Sequence, residues 1–265
     1  MLLAVDIGNT QTGIGLFDGA RLEGSWTFTT RRADTADEVH LLLDGYFTLA
    51  HRDLASVDDV VVASVVPPLT QVWAEVARRV TGGAPLVVDA RVQTGLSMRY
   101  DNPSEIGADR LADAVAAVAL VGAPVVVVDL GTATNIEVVD RSGAFLGGVI
   151  APGLAMGADA LASRAAKLPQ VDFSRPARAI GRSTVEAMHA GIIYGEVARI
   201  DGLVRRIFDE LGYEADTIAT GGFSECVAGL SQTITRREPM LALQGLRLIH
   251  EKNRPRTRST ALEAV

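Results

Sequence analysis

Two stretches of this 265-residue chain carry side chains suited to holding a phosphate and its metal ion. The first is LLAVDIGNTQTG at 2–13, where an apolar run ends on Asp6 and breaks into Gly8-Asn9-Thr10. A buried strand that delivers a carboxylate beside a small polar turn brings backbone N–H groups, hydroxyls and a metal-ligating oxygen together. Taken alone, Asp-x-Gly is also an ordinary turn after a strand. The chain builds it twice. VVVVDLGTATN at 125–135 repeats the apolar run, the acid and the glycine turn, with Asp129 and Gly131 each 123 residues after Asp6 and Gly8. Self-similarity at a fixed spacing marks duplicated supersecondary units. Two like-built halves whose phosphate-sized loops face each other predict a nucleotide clamped in the cleft between them.

The elements that must position these loops follow from patterning. In the first half the spacing predicts strands over 12–17 and 22–29 around the Asp18-Gly19 turn, a hairpin signal. Thr35 and Glu38 form a capping-box pattern for a helix to about Ala50. A buried strand over 60–66, a helix over 69–80 stopped by Gly82-Gly83, and a short strand over 85–89 follow. Gly107-Ala108-Asp109-Arg110 opens an alanine-rich helix that ends near Val121, with Gly122 at the C′ position and Pro124 barring continuation. The domain boundary is placed there: 1–122, then 123–252, with 253–265 as a disordered tail carrying Arg254, Arg256 and Arg258. The second half repeats the hairpin around Arg141-Ser142-Gly143. It adds a helix from Ala151-Pro152-Gly153 and a long helix from Ser183, where Ser183 and Glu186 form a second capping box. A short strand over 217–219 ends in Thr220-Gly221-Gly222, a turn fit for the adenosine portion of a nucleotide, and a last helix covers 241–251.

Composition narrows the classes. A net charge of −7 and the lack of any basic stripe interleaved with aromatics argue against nucleic acid as partner. One cysteine, Cys226, excludes an internal disulfide and a multi-cysteine metal site. His40, His51, His189 and His250 are scattered without metal-ligand spacing. The apolar run 114–128 falls short of the ~20 residues of a spanning helix and is broken by Gly122 and Pro124, so no membrane segment is expected. No targeting segment is visible, and a cytoplasmic location is expected.

A duplicated Asp-x-Gly hairpin resembles the superfamily of actin and the sugar and acetate kinases. Within it, residues 2–252 look like the type III pantothenate kinases. The matching motifs are DIGNTQTG at 6–13, SVVPP at 64–68, YDNPSEIGADR at 100–110, DLGTAT at 129–134, GGVIAPG at 147–153, AKLP at 166–169, IGRSTVEAM at 180–188 and ATGG at 219–222. The resemblance implies an α/β fold of two duplicated ribonuclease-H-like (actin-like ATPase) domains with a nucleotide cleft between them. It implies transfer of the ATP γ-phosphate to the 4′-hydroxyl of pantothenate in coenzyme A biosynthesis. It also implies Mg²⁺, a monovalent cation (K⁺ or NH₄⁺), and a homodimer.

Residue by residue, the resemblance makes Asp6, Ile7, Gly8, Asn9, Thr10, Gln11, Thr12 and Gly13 the ATP phosphate loop, with Asp6 turned towards Mg²⁺ through water. Thr132 contacts ATP from the other half, and Asp129 holds the monovalent cation. Tyr100, Gly107, Ala108, Asp109 and Arg110 hold pantothenate, with Asp109 as proton acceptor and Thr184 as a further substrate contact across the dimer interface. Each has a plainer alternative. Asp109 can cap its helix, Thr184 can be a first-turn helix residue, Tyr100 a packed loop aromatic, and Asp129 a strand terminator. The chain departs from the family pattern at Asp113, where Asn is usual, at Asn135 and Glu137, where Thr and Asp are common, and at Ala155-Met156-Gly157. Asp113 lies one helical turn after Asp109 and should raise the pKa of one of the pair. These substitutions leave room for a second reading, a catalytically weak or silent regulatory homologue that binds nucleotide.

Overall fold

The computed structural model describes residues 1–165 and 167–254. The chain opens with β1 (Leu2–Ile7), β2 (Gln11–Asp18) and β3 (Arg21–Thr29). Then come α1 (Ala36–Leu49), β4 (Asp59–Ser64), α2 (Pro67–Thr81), β5 (Leu86–Val87), β6 (Ser97–Met98) and α3 (Ala108–Val121). The second repeat supplies β7 (Val125–Leu130), β8 (Ala133–Val139) and β9 (Ala144–Pro152). It continues through α4 (Leu154–Arg164), α5 (Thr184–His189), a π-helical turn at Ala190–Tyr194 and α6 (Gly195–Leu211). β10 (Asp216–Thr220), α7 (Ser224–Ala228), β11 (Arg236–Arg237) and α8 (Leu241–Asn253) complete the described chain.

The duplication is structural as well as sequential. One sheet runs β3-β2-β1-β4-β5 and the other β11-β10-β7-β8-β9-β6. In each, the Asp-bearing strand is central, antiparallel to its hairpin partner and parallel to the strand on its other side. Strands covered on both faces read as unbroken apolar runs, and Val125, Val126, Val127 and Val128 have no solvent exposure. Each hairpin even carries its bulge at the equivalent place, between Leu16 and Phe17 and between Val138 and Val139. The mixed α/β architecture is the actin-like one the sequence implies.

The local signals hold. Thr35 and Glu38 close a reciprocal capping box on α1, Pro67 and Pro68 occupy the first turn of α2, and Gly82 ends it in the left-handed conformation. The second capping box is only half made. Ser183 Oγ accepts from the Glu186 N–H, but the Glu186 carboxylate accepts from Arg182 N at 2.8 Å instead of the cap residue. The long helix expected from Ser183 is interrupted by the π-turn, for which the sequence carried no signal.

What joins the halves is a helical layer shared by both sheets. Ala108, Ala112 and Val115 of α3 face the first sheet with Leu243, Leu246 and Ile249 of α8. Leu111, Ala114 and Ala117 face Val125 and Val127 of the second sheet. A helix buried on all sides must be apolar and slim, hence the alanines. α8, the last element in sequence, packs against β1 and β4 of the first sheet, while β6 joins the second sheet through β9. Asn253 closes α8 and Arg254 pairs with Asp59, whereas the rest of the expected tail, 255–265, lies outside the described residues. Ala166 of the AKLP motif lies outside them too.

At the α3–α8 crossing, a Cβ on Gly245 would fall inside the van der Waals radius of the Ala112 carbonyl oxygen. Gly245→Ala is therefore expected to cost ~1–3 kcal/mol and lower the melting temperature by several degrees. Gly202→Ala on α6, where nothing lies within 4 Å, should show no such loss in the same thermal unfolding measurement.

Candidate active site

The two glycine loops meet. Thr10 of the first and Thr132 of the second stand in equivalent positions, and their hydroxyl oxygens are 2.8 Å apart. Each loop is closed by its own backbone bond, Gly8 N–H to the Gln11 carbonyl and Gly131 N–H to the Ala133 carbonyl, both at 3.0 Å. On the first loop, Arg32 donates to the Asn9 Oδ1 at 3.4 Å and Thr30 N–H to the Thr10 carbonyl at 2.9 Å. Thr12, the buried residue after the loop, shares a 2.8 Å hydroxyl bond with Thr30. The third small-residue turn abuts the second loop. Gly221, at φ +83°, lies so close to the Asp129 carboxylate and the Leu130 carbonyl that no side chain fits there.

Beneath the loops lies a concentration of carboxylates. Burial, then the charges of Asp109 and Asp129, pushes Asp6 up to about 8. Burial, then Asp109, pushes Asp129 up to about 7, against the opposing Asn135 amide. Asp113 is raised well above the usual carboxylate range, first by burial and then by Asp129 and Glu137. Burial also lifts Glu137 to about 8, although Arg110 pulls it down. Asp109, one helical turn before Asp113, adds to the rise of Asp113 after Asp6. The charge of Asp109 helps raise Asp6 and Asp129 most, next after burial, and Asp113 and Glu137 least.

Asp109 is not the helix cap. Gly107 holds that position without a side-chain bond, and Asp109, one residue into α3, accepts from the Arg110 N–H at 2.8 Å. Arg110 is buried, donates from Nε to the Glu137 Oε1 at 2.9 Å and lies 5.8 Å over the Phe145 ring. Its other guanidinium N–H groups have no partner among the described residues, which leaves donors for an anion. Tyr100 meets Phe145 edge-on at 6.2 Å and covers Gly147, so Tyr100 and Arg110 share one aromatic wall.

The sequence matches the profile of the type III pantothenate kinase family over residues 2–206. A type III pantothenate kinase from Moorella thermoacetica is 44% identical over 253 residues, covering 96% of this chain and 100% of that protein. One from Frankia alni is 47% identical over 254 residues, with the same two coverages. The chain belongs to the type III pantothenate kinase family.

Among solved structures, component A of the Acidaminococcus fermentans (R)-2-hydroxyglutaryl-CoA dehydratase superposes with a TM-score of 0.55 at 15% identity, covering 94% of this chain and 95% of the other. The ethanolamine utilization protein EutJ from Carboxydothermus hydrogenoformans gives 0.55 at 14%, covering 93% and 89%. At such identities they speak for the fold, which this member of the kinase family shares.

Thr184 has no hydrogen-bonded contact with the other candidate residues and is exposed on the first turn of α5. Two groups that matter were not singled out as site residues. Asp113 Oδ1 and Glu137 Oε2 are buried without a hydrogen-bond partner among the described residues. Their only sequence signal was departure from the family pattern. Among the described residues no three His, Cys, Asp or Glu side chains converge as a closed metal site. Mg²⁺ at phosphate sites is held by one or two carboxylates plus phosphate and water. The unpartnered oxygens and raised carboxyls beside the loops fit such hard cations.

The folded-state pKa of Asp6, Asp129 and Glu137 lies above the ordinary ~4, so folding takes up protons and stability falls as pH rises from about 4 to about 8. Protein free of metal and nucleotide should melt at a lower temperature near pH ~8.5 than near pH ~5.5. Asp113→Asn should flatten that slope and stabilise the alkaline end by ~1–2 kcal/mol, a rise of a few degrees in a pH series of thermal melts.

Proposed function

We propose that the chain transfers the γ-phosphate of ATP to the 4′-hydroxyl of pantothenate, the reaction of the family it belongs to, giving 4′-phosphopantothenate on the route to coenzyme A. Kinship at 44–47% identity over the whole length of the relatives supports the substrate. The geometric observation that carries the reading is the meeting of the two glycine loops, whose Thr10 and Thr132 hydroxyls are 2.8 Å apart.

ATP lies between the halves, divided at Gly122–Ala123, with its phosphates over the residues from Asp6 to Gly13 and against Thr132. Pantothenate lies along Tyr100 and Gly107–Arg110, its carboxylate drawn to the Arg110 guanidinium and to N–H groups at the start of α3. Asp109 orients the hydroxyl and receives its proton as the oxygen bonds to the γ-phosphorus and the bond to ADP breaks. With a loose transition state, alignment matters more than early deprotonation. Mg²⁺, turned to by Asp6, and K⁺ or NH₄⁺, held by Asp129, supply the positive charge that offsets the phosphates and the raised carboxyls.

A homodimer belongs to the same proposal. Ile150, Met156, Leu161, Ile180 and Val185 are exposed large apolar residues around the end of β9, α4 and the entry to α5, and Ile180 is 83% exposed. Exposed apolar side chains of this size are what a partner chain would cover, and Val185 adjoins Thr184, which a dimer would bring to the neighbouring site. Nucleic acid and membrane are left out of the proposal, which places the reaction in the cytoplasm. No described helix is long and apolar enough to cross a bilayer.

ATP consumption by the purified protein should depend on both pantothenate and a monovalent cation, and turnover that ignores either overturns the reading. Asp109→Asn should lower kcat at least ~100-fold with the melting temperature held. Near-normal turnover would reduce Asp109 to a helix-start residue. Paired Ile150→Asp and Ile180→Asp substitutions should turn a dimer into a monomer in sedimentation, with loss of turnover if Thr184 acts across the interface.

A further inference from the structure

We propose that Glu196 and Arg199, in α6, are positioning residues that set the second phosphate loop and, through it, the affinity for nucleotide. The inference rests on the nucleotide-cleft reading and concerns residues outside every motif of the sequence.

α6 is amphipathic, with Val197, Ile200 and Val204 in the second core. Glu196 sits on the same buried side at 5% exposure, where an apolar residue would be expected. The π-turn just before it adds a residue to the helical repeat and rotates all that follows by roughly 100° relative to an unbroken α-helix. Its carboxylate is fully occupied. Thr134 Oγ1 donates to Oε1 at 2.7 Å, and Arg199 Nη2 donates to Oε2. The same Nη2 reaches the Pro152 carbonyl at 2.6 Å.

Both targets border the second loop. Thr134 follows Thr132 by two residues and pairs with Leu130 across the hairpin. Pro152 pairs with Ala133 and precedes Gly153, which is pressed so tightly on the Thr132 carbonyl that it admits no side chain. One ion pair therefore grips the strand leaving the loop and the strand lying over it.

The first half shows what this replaces. Thr12 pairs with Ile7 in the register in which Thr134 pairs with Leu130, and its hydroxyl is held by neutral Thr30. Both loops are thus pinned by a buried threonine one step beyond the turn, once by a hydroxyl and once by an ion pair between buried Glu196 and half-buried Arg199. An ion pair with one partner buried is a weak device for stability, since the desolvation of the buried charge offsets much of the attraction. The Arg199 Nε, buried without a partner among the described residues, makes it weaker still. Directional grip on two backbone segments is what the pair supplies and an apolar pair would not.

The test uses full-length Arg199→Met, Arg199→Lys and Thr134→Val, with a fluorescent ATP analogue for binding, steady-state KM for each substrate, and thermal melts. Arg199→Met should raise the analogue Kd and the KM for ATP about tenfold, with the KM for pantothenate within about twofold. Arg199→Lys should recover part of the loss, and Thr134→Val should shift in the same direction by less. A folded Arg199→Met with unchanged nucleotide Kd, or with both KM values raised equally, overturns the proposal. Should Arg199→Met fail to fold, Thr134→Val decides, and an unchanged Kd there overturns it. Weakened nucleotide binding in a protein without pantothenate-dependent turnover would sink the pantothenate reading and leave this one standing.

Discussion

The structure depends on α3 being wedged between two sheets. A helix buried on every side has no room for large side chains, and from Ala108 to Ala117 half the positions are alanine, with Leu111 and Val115 filling the wider gaps. Its companion α8 approaches closely enough that Gly245 touches the Ala112 backbone. Because the wedge belongs to both cores, its first turn must emerge where the two Asp-bearing strands end. That places Asp109 and Arg110 between the loops.

The same wedge creates the electrostatic problem of the site. Asp6, Asp109, Asp113, Asp129 and Glu137 share one low-dielectric region with Arg110 as the cation paired to Glu137. Burial first, and then the neighbouring like charges, push Asp6, Asp129 and Glu137 above the ordinary carboxylate range. A cleft so charged is at odds with itself when empty and suited to cations. This is the physical reason to expect phosphate transfer here to depend on metal ions rather than on a buried lysine.

The duplication is close in backbone and loose in side chains. Strand order, hairpin register and even the bulge positions repeat, yet Thr12 is held by Thr30 and Thr134 by Glu196 and Arg199. The first loop is one residue longer than the second, as the bonds from Gly8 to Gln11 and from Gly131 to Ala133 show. Such asymmetry is what one ligand bound across two similar halves requires, since each half meets a different part of it.

Much of the fold was legible because it rests on local chemistry. The capping box at Thr35, the turn at Asp18-Gly19, the all-valine strand and the glycine stops at Gly82 and Gly122 are signals a residue and its near neighbours send by themselves. The two loops were legible for another reason, since a repeat at fixed spacing is a property of the string. The two-residue strands β6 and β11 carried no such signal, because they exist only through pairing with β9 and β10, and at Ser183 the capping pattern was legible but not that the Arg182 N–H takes the Glu186 carboxylate. At the site, sequence determined which residues could do chemistry: Asp6, Asp109, Asp129, Arg110 and the threonines of the loops. Only the tertiary structure decided that Thr10 meets Thr132, that Arg110 is tied to Glu137, and that Glu196 is buried against Thr134. Those contacts join residues from 27 to 122 positions apart, and burial and charge act through space without regard to that separation.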